Sequence, residues 1–133
     1  DQKEIDTALD LAAAVILNNN KLRMQRGTNP EGKRHKVSQR AKRKGGVTLI
    51  DTGSLLRSIT ILKPQNNPNI NARLVTVDPT ATNSKTGVPV LKYARVHQLG
   101  LNRAPVRRFL GISISDRQAA SKVFFARIQK ALI

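Results

Sequence analysis

Leu49-Ile50-Asp51-Thr52-Gly53-Ser54-Leu55-Leu56-Arg57-Ser58-Ile59 is the stretch whose reading decides the fold. Asp51 or Thr52 can cap a short helix, because either side-chain oxygen can accept from the free N–H groups of the next turn. Gly53 tolerates the tight backbone such a corner needs. Ser54 to Ser58 is long enough for about one helical turn. Ile59 then opens an alternating run rich in β-branched residues. The stretch therefore reads as a capped corner that feeds a strand.

Downstream, Ile59-Thr60-Ile61-Leu62 reads as that strand and Ala72 to Val77 as a second. Pro64-Gln65-Asn66-Asn67-Pro68-Asn69 between them is turn chemistry, so the pair is expected to form an antiparallel hairpin. Residues 80–87, rich in Thr, Asn, Ser and Gly, read as a flexible tip. Val88 to Leu91 reads as a third strand, confined by Pro89 to an edge or a strand start. Tyr93-Ala94-Arg95-Val96-His97-Gln98-Leu99-Gly100 reads as a short helix closed by its glycine. After a proline-containing basic connection, Ser115-Asp116-Arg117-Gln118 has the spacing of a capping box. A final helix over Asp116 to Leu132 would follow, with a stripe at Ala120, Val123 or Phe124, Ile128, and Ala131 or Leu132.

Upstream, Ile5, Leu9, Ala12 or Ala13, Ile16 and Leu17 recur at helical spacing, predicting an amphipathic helix from Glu4 to Met24. Its acids come first and Lys21 and Arg23 last, which suits the helix dipole. Asn18-Asn19-Asn20 weakens the middle. Residues 26–46 lack apolar periodicity and crowd Lys33, Arg34, Lys36, Arg40, Lys42, Arg43 and Lys44 together, so they read as an extended basic arm that orders on a partner. The expected architecture is one α+β domain over residues 1–133. Helix 1–25, arm 26–46 and core 47–133 follow one another, with a small antiparallel sheet packed against the N-terminal and C-terminal helices.

Bulk properties narrow the function classes. The chain has 133 residues and a formal charge of +16. Residues 1–20 hold four acids and one lysine, 21–44 hold ten bases and one acid, and 45–133 hold thirteen bases and three acids. Such a balance points to a polyanionic partner. Aromatics are 3% of residues, so Leu, Ile, Val and Ala must fill the core. Cysteine is absent, which excludes disulfides, thiolate metal sites and a cysteine nucleophile, and fits a reducing compartment. The apolar run Leu11 to Leu17 is too short to span a bilayer, and the acids before it do not suit a signal peptide.

Catalysis finds little support. His35 and His97 are the only histidines, so no histidine-rich metal site can be built. A triad of Ser54 or Ser58, His97, and Asp51 or Asp116 can be written down, but no nucleophile-elbow pattern frames it. Lys44-Gly45-Gly46 lacks phosphate-loop spacing. Tyr93 and His97, four residues apart, share a helix face. They read as packing residues, with the imidazole's polar edge satisfied by backbone. Nothing in the chain resembles a base-reading motif, so contact with DNA would be electrostatic and blind to sequence.

Three segments stand in a telling order: residues 49–59, Tyr93 to Gly100, and Pro105-Val106-Arg107-Arg108-Phe109-Leu110-Gly111. Together they resemble the phage virion morphogenesis family of tail-completion proteins, typified by protein G of phage Mu. There a Thr-Gly-x-Leu-x-x-Ser-Ile segment, a Tyr-Ala-x-x-His-Gln-x-Gly segment and a Pro-x-Arg-x-Phe-Leu-Gly segment recur in that order. With Asp116, the match spans residues 49–116, about half the chain. Asn29-Pro30-Glu31-Gly32 and Lys42-Arg43-Lys44-Gly45-Gly46 are similar to the family's linker, although His35 stands where a tryptophan is common.

The resemblance implies a non-catalytic virion protein, assembled in the host cytoplasm, that binds no cofactor, metal or small-molecule substrate and no membrane. Its relatives act as tail terminators or neck proteins, in homo-oligomeric rings (a hexamer among the closures) between tail tube and head-closure proteins. On this reading Asp51, Thr52, Gly53, Tyr93, His97, Gly100, Pro105, Phe109 and Gly111 are structural. The arm cations with Arg103, Arg107 and Arg108 face either the DNA in the ring's lumen or a neighbouring subunit. The alternative is a sequence-independent nucleic-acid-binding protein.

Overall fold

The computed structural model describes residues 1–64 and 71–132. Helix α1 runs Gln2–Arg26, α2 Gln39–Lys44 and α3 Ser54–Ser58. Strands β1 Ile59–Leu62 and β2 Leu74–Val77 follow, then α4 Val90–Leu99 and α5 Ile114–Ala131. The class is α+β: a two-stranded antiparallel sheet, with the first and last helices packed on each other. Ile59 pairs with Val77 and Leu62 with Leu74. The turn expected between the strands falls largely on residues 65–70, outside the described residues.

The opening corner forms, by a different device from the one expected. Gly53 itself is the N-cap of α3, in the left-handed region at φ 81°, where an L side chain is strained. Asp51 does not cap. Its carboxylate lies 3.8 Å from Arg40 and its side chain is 66% exposed. The Thr52 hydroxyl accepts from the Ser54 N–H at 3.3 Å and donates to the Ser54 Oγ at 2.9 Å, a local turn in place of a helix cap. The corner delivers Leu55 and Ile59 into one core with Met24, Val77, Val90, Ala94 and Phe109.

Helix α1 is longer than its apolar stripe suggested and runs straight through the three asparagines. Asp1 caps its start and Gly27, at φ 70°, closes its end. Its buried positions are Ala8, Ala13, Ile16, Asn20 and Met24, while Ile5, Leu9 and Leu17 are only half-buried. The helix touches both α5 and the sheet, so its inward face is wider than one stripe.

Further expectations are corrected. Val88 to Leu91 is not a third strand. Pro89 makes an isolated bridge with Thr82 and then precedes α4, and Val90 and Ala94, one helical turn apart, are both buried. The capping box lies two residues earlier than expected. Ser113 is the N-cap of α5 and Asp116 its N3 partner, with both reciprocal bonds formed. Ser115 and Gln118 are exposed. Residues 26–46, read as an extended arm without packed elements, carry an isolated bridge between Thr28 and Arg34 and the six-residue α2, capped by Ser38. Residues 80–87 form a hydrogen-bonded turn around Asn83, whose Oδ1 accepts from Lys85 and Thr86 N–H groups.

Candidate functional site

The three segments that stood apart in sequence come together around α4. Gln98 grips the third segment: its Oε1 accepts from the Phe109 and Leu110 N–H groups at 3.0 and 3.2 Å, and its Nε2 donates to the Leu110 carbonyl at 3.0 Å. The Arg107 N–H donates to the His97 carbonyl at 2.8 Å. On the other side, Asn83 Nδ2 donates to Tyr93 Oη and Thr52 Oγ1, and the Ser84 N–H donates to Ser54 Oγ. Gly100, at φ 69°, closes α4 so tightly that an added Cβ would lie 2.6 Å from Val106. Gly111 lets Pro30 approach, since a Cβ there would meet the proline ring at 2.5 Å. Pro105 is half-buried and Phe109 fully so.

The basic arm is docked on this unit by hydrogen bonds to carbonyls. Arg107 Nε donates to the Lys36 carbonyl at 2.7 Å. Arg40 Nη2 donates to the carbonyls of Val47 and Ile50, both at 2.9 Å. The Ser38 N–H donates to Thr48 Oγ1. Of the cations the sequence assigned to a contact surface, Arg40 and Arg107 are therefore internal ties, and Arg108 pairs with Glu31. Lys33, Arg34, Lys36, Lys42, Arg43, Lys44 and Arg103 are exposed and form no ion pair among the described residues.

All eight acids are already engaged. Asp1 caps α1 and Asp78 accepts from Thr80. Glu4, Asp6, Asp10, Glu31, Asp51 and Asp116 each face an arginine within 4 Å. Among the described residues, none of these acids pairs with the exposed arm cations.

Beneath the arm, the two histidines sit close together. His35 is 9% exposed. His35 Nε2 and His97 Nδ1 are both buried without a hydrogen-bond partner among the described residues, so the expected backbone satisfaction of His97 is not made there. Burial first, and then the Arg107 charge, push both imidazoles below the ordinary 6.5. Neutral His35 in the arm and neutral His97 on α4 thus belong to the docked state. The unfolded chain takes up protons near pH 6.5 and the folded one only lower, so stability falls as pH drops from 6.5 towards the depressed values. Above 6.5 these groups add no pH dependence. Urea unfolding at pH 7.5 and 5.5 should show a midpoint that falls with acid, and the double variant His35→Gln, His97→Gln should flatten that fall.

The catalytic set written from the sequence is not assembled. Ser54 Oγ donates to Ser84 Oγ, Ser58 Oγ to the Leu55 carbonyl, and Asp116 is held by Arg23. No group of three or more metal-ligating side chains gathers among the described residues, and no helix there is long and apolar enough to cross a membrane. A search of family models, curated proteins and solved structures finds no match to this chain.

Proposed function

We propose that this chain is a structural virion protein of a tailed phage: a tail-completion or tail-terminator subunit. In this reading copies close into a ring at the head-proximal end of the tail, between tail tube and neck, around the DNA channel. The observation that carries it is the convergence of the three ordered segments on α4. Their motif residues make packing and hydrogen-bond ties: Gln98 to Phe109 and Leu110, Asn83 to Thr52 and Tyr93, and Arg107 to His97. That is how residues shared across a scaffold family are expected to be used. A lumen that passes DNA also benefits from fixed, non-specific positive charge, and the exposed arm cations supply it. Electron microscopy and native mass spectrometry of the purified protein mixed with tail tubes should show closed rings seated on tube ends. A protein that stays monomeric and leaves the tubes uncapped overturns the reading.

The second reading, a sequence-independent nucleic-acid-binding protein acting as a monomer, is favoured by the same unpaired cations. It predicts steeply salt-dependent duplex binding. Replacing Lys42, Arg43 and Lys44 with alanine should then reduce the log–log salt slope by about 2–3, at roughly 0.9 per lost phosphate contact. If duplex affinity barely changes, the α2 cations serve protein contacts instead.

A further inference from the structure

Arg107 is a largely buried cation that has no ion-pair partner among the described residues. Its side chain belongs to a residue only 8% exposed. Nε is satisfied by the Lys36 carbonyl, while the two terminal nitrogens donate to no acceptor among the described residues. None of the ion pairs among the described residues involves it. Arginine stays charged at any pH a protein meets, and a buried charge is costly unless it is paired and hydrogen-bonded. The one carboxylate at the same cleft, Asp51, faces Arg40 rather than Arg107. His35 and His97 are histidines with unpartnered buried nitrogens, and neither carries negative charge.

A cleft of about 370 Å³ opens over Arg107 and His97, walled by Leu49, Leu55, Val88 and Tyr93. We propose that this cleft is a receptor site for one carboxylate, presented on an apolar segment of another protein chain. The guanidinium's unused fork matches the two oxygens of a carboxylate, the geometry in which such bonds are strongest. The apolar part of the wall, Leu49, Leu55 and Val88, suits the side chains beside an acidic residue better than it suits a sugar–phosphate.

The donor is a different protein: among the described residues, each acid already has a hydrogen-bond or arginine partner. The site stands on its geometry. That the donor is a neighbouring tail or neck protein rests on the tail-joining reading.

The test uses the full chain at about 0.15 M ionic strength, where unspecific attraction is screened beyond about 8 Å. The probes are a blocked pentapeptide with one glutamate flanked by leucines, its glutamine analogue, and inorganic phosphate. With two histidines in the chain, the ring C–H signals of His35 and His97 in a proton NMR titration report the site directly. The glutamate peptide is expected to shift the His97 signals saturably. The glutamine analogue should leave them in place, and phosphate should bind more weakly. Arg107→Lys keeps the charge but loses the fork, and should weaken the peptide at least about tenfold, the value of one charge-assisted hydrogen bond.

Because Arg107 also ties the arm, Val88→Trp provides an independent arm. It fills the cleft from a 39% exposed position and should abolish the response with the unfolding midpoint kept. The Lys42, Arg43, Lys44 triple-alanine protein should bind the peptide as well as the parent. Equal response to the glutamine analogue, tighter phosphate than peptide, or loss of binding in the triple variant overturns the proposal. A protein that caps tail tubes but fails these titrations loses the carboxylate site alone. One that passes them without forming rings loses only the tail-joining reading.

Discussion

Asp116→Ala will lower the stability of the fold by about 3–5 kcal/mol, the usual cost of breaking a buried ion pair from one side. Asp116 is 1% exposed and is the hub of the joint between α1 and α5. Its carboxylate lies 2.8 Å from Arg23 Nη2, accepts from Asn19 Nδ2 at 2.9 Å, and accepts from the Ser113 N–H at 3.1 Å. The loss has three parts: Arg23, with an 11% exposed side chain, is left without its counter-ion, Asn19 loses an acceptor, and α5 loses half of its capping box. Burial alone pushes the Asp116 carboxyl up, but Arg23, the Ser113 N–H and Asn19 outweigh it and hold it below 3.8. Its stabilising share is therefore present above pH 3.8 and is lost as pH falls through the depressed value. Urea unfolding at pH 7 measures the effect. A change under about 1 kcal/mol would mean that the joint is not what holds the helices together. The double variant Arg23→Met, Asp116→Leu should recover only the part due to the stranded Arg23 charge, because Asn19 and the Ser113 N–H still lose their acceptor.

The second large effect is at Asn20. Asn20→Leu keeps the side-chain volume close and should destabilise by about 2–4 kcal/mol, from buried polar groups left unpaired at about 1–3 kcal/mol each. Asn20 is 1% exposed. Its Oδ1 accepts from the Gly111 N–H at 3.0 Å, and its Nδ2 donates to the Gly111 carbonyl at 3.1 Å and the Ile16 carbonyl at 2.8 Å. It therefore pairs with Gly111 as a strand would. Asn18→Leu, on the exposed side of the same helix, is the control and should change stability by no more than about 0.5 kcal/mol. Matching unfolding midpoints for the two variants would remove Asn20 from the list of ties.

The asparagine run shows where sequence reading stops. Locally, three asparagines weaken a helix, and that is all a propensity argument can see. What keeps α1 intact there is tertiary: Asn19 and Asn20 find partners at Asp116 and Gly111, more than ninety residues away. The capping box was misread for the same reason. Ser113 and Ser115 both offer plausible spacings, and the choice falls to the frame whose acid Arg23 and Asn19 can reach. Features set by neighbours in sequence were legible, including the paired strands, the glycine that ends α4 and the corner before Ile59. In the candidate site, the sequence located the motif residues and the surplus of positive charge. It could not say which cations turn inward, because Arg40 and Arg107 are held by the carbonyls of Val47, Ile50 and Lys36, and carbonyls leave no mark in a sequence.

The seam between α1 and α5 has a consequence for how the molecule is assembled. Glu4 meets Arg127 and Arg23 meets Asp116, so the two helices run antiparallel and are joined only through everything between them. Their closure spans the longest stretch of chain in the structure, longer than that of the hairpin or of the contacts between α3 and α4. The arm's cations and the apolar side of α1 are therefore synthesised well before the segment that completes their setting. During that interval a chain this positive is kept apart from its siblings by charge repulsion, so the surplus charge that suits a polyanionic partner also guards the unfinished fold.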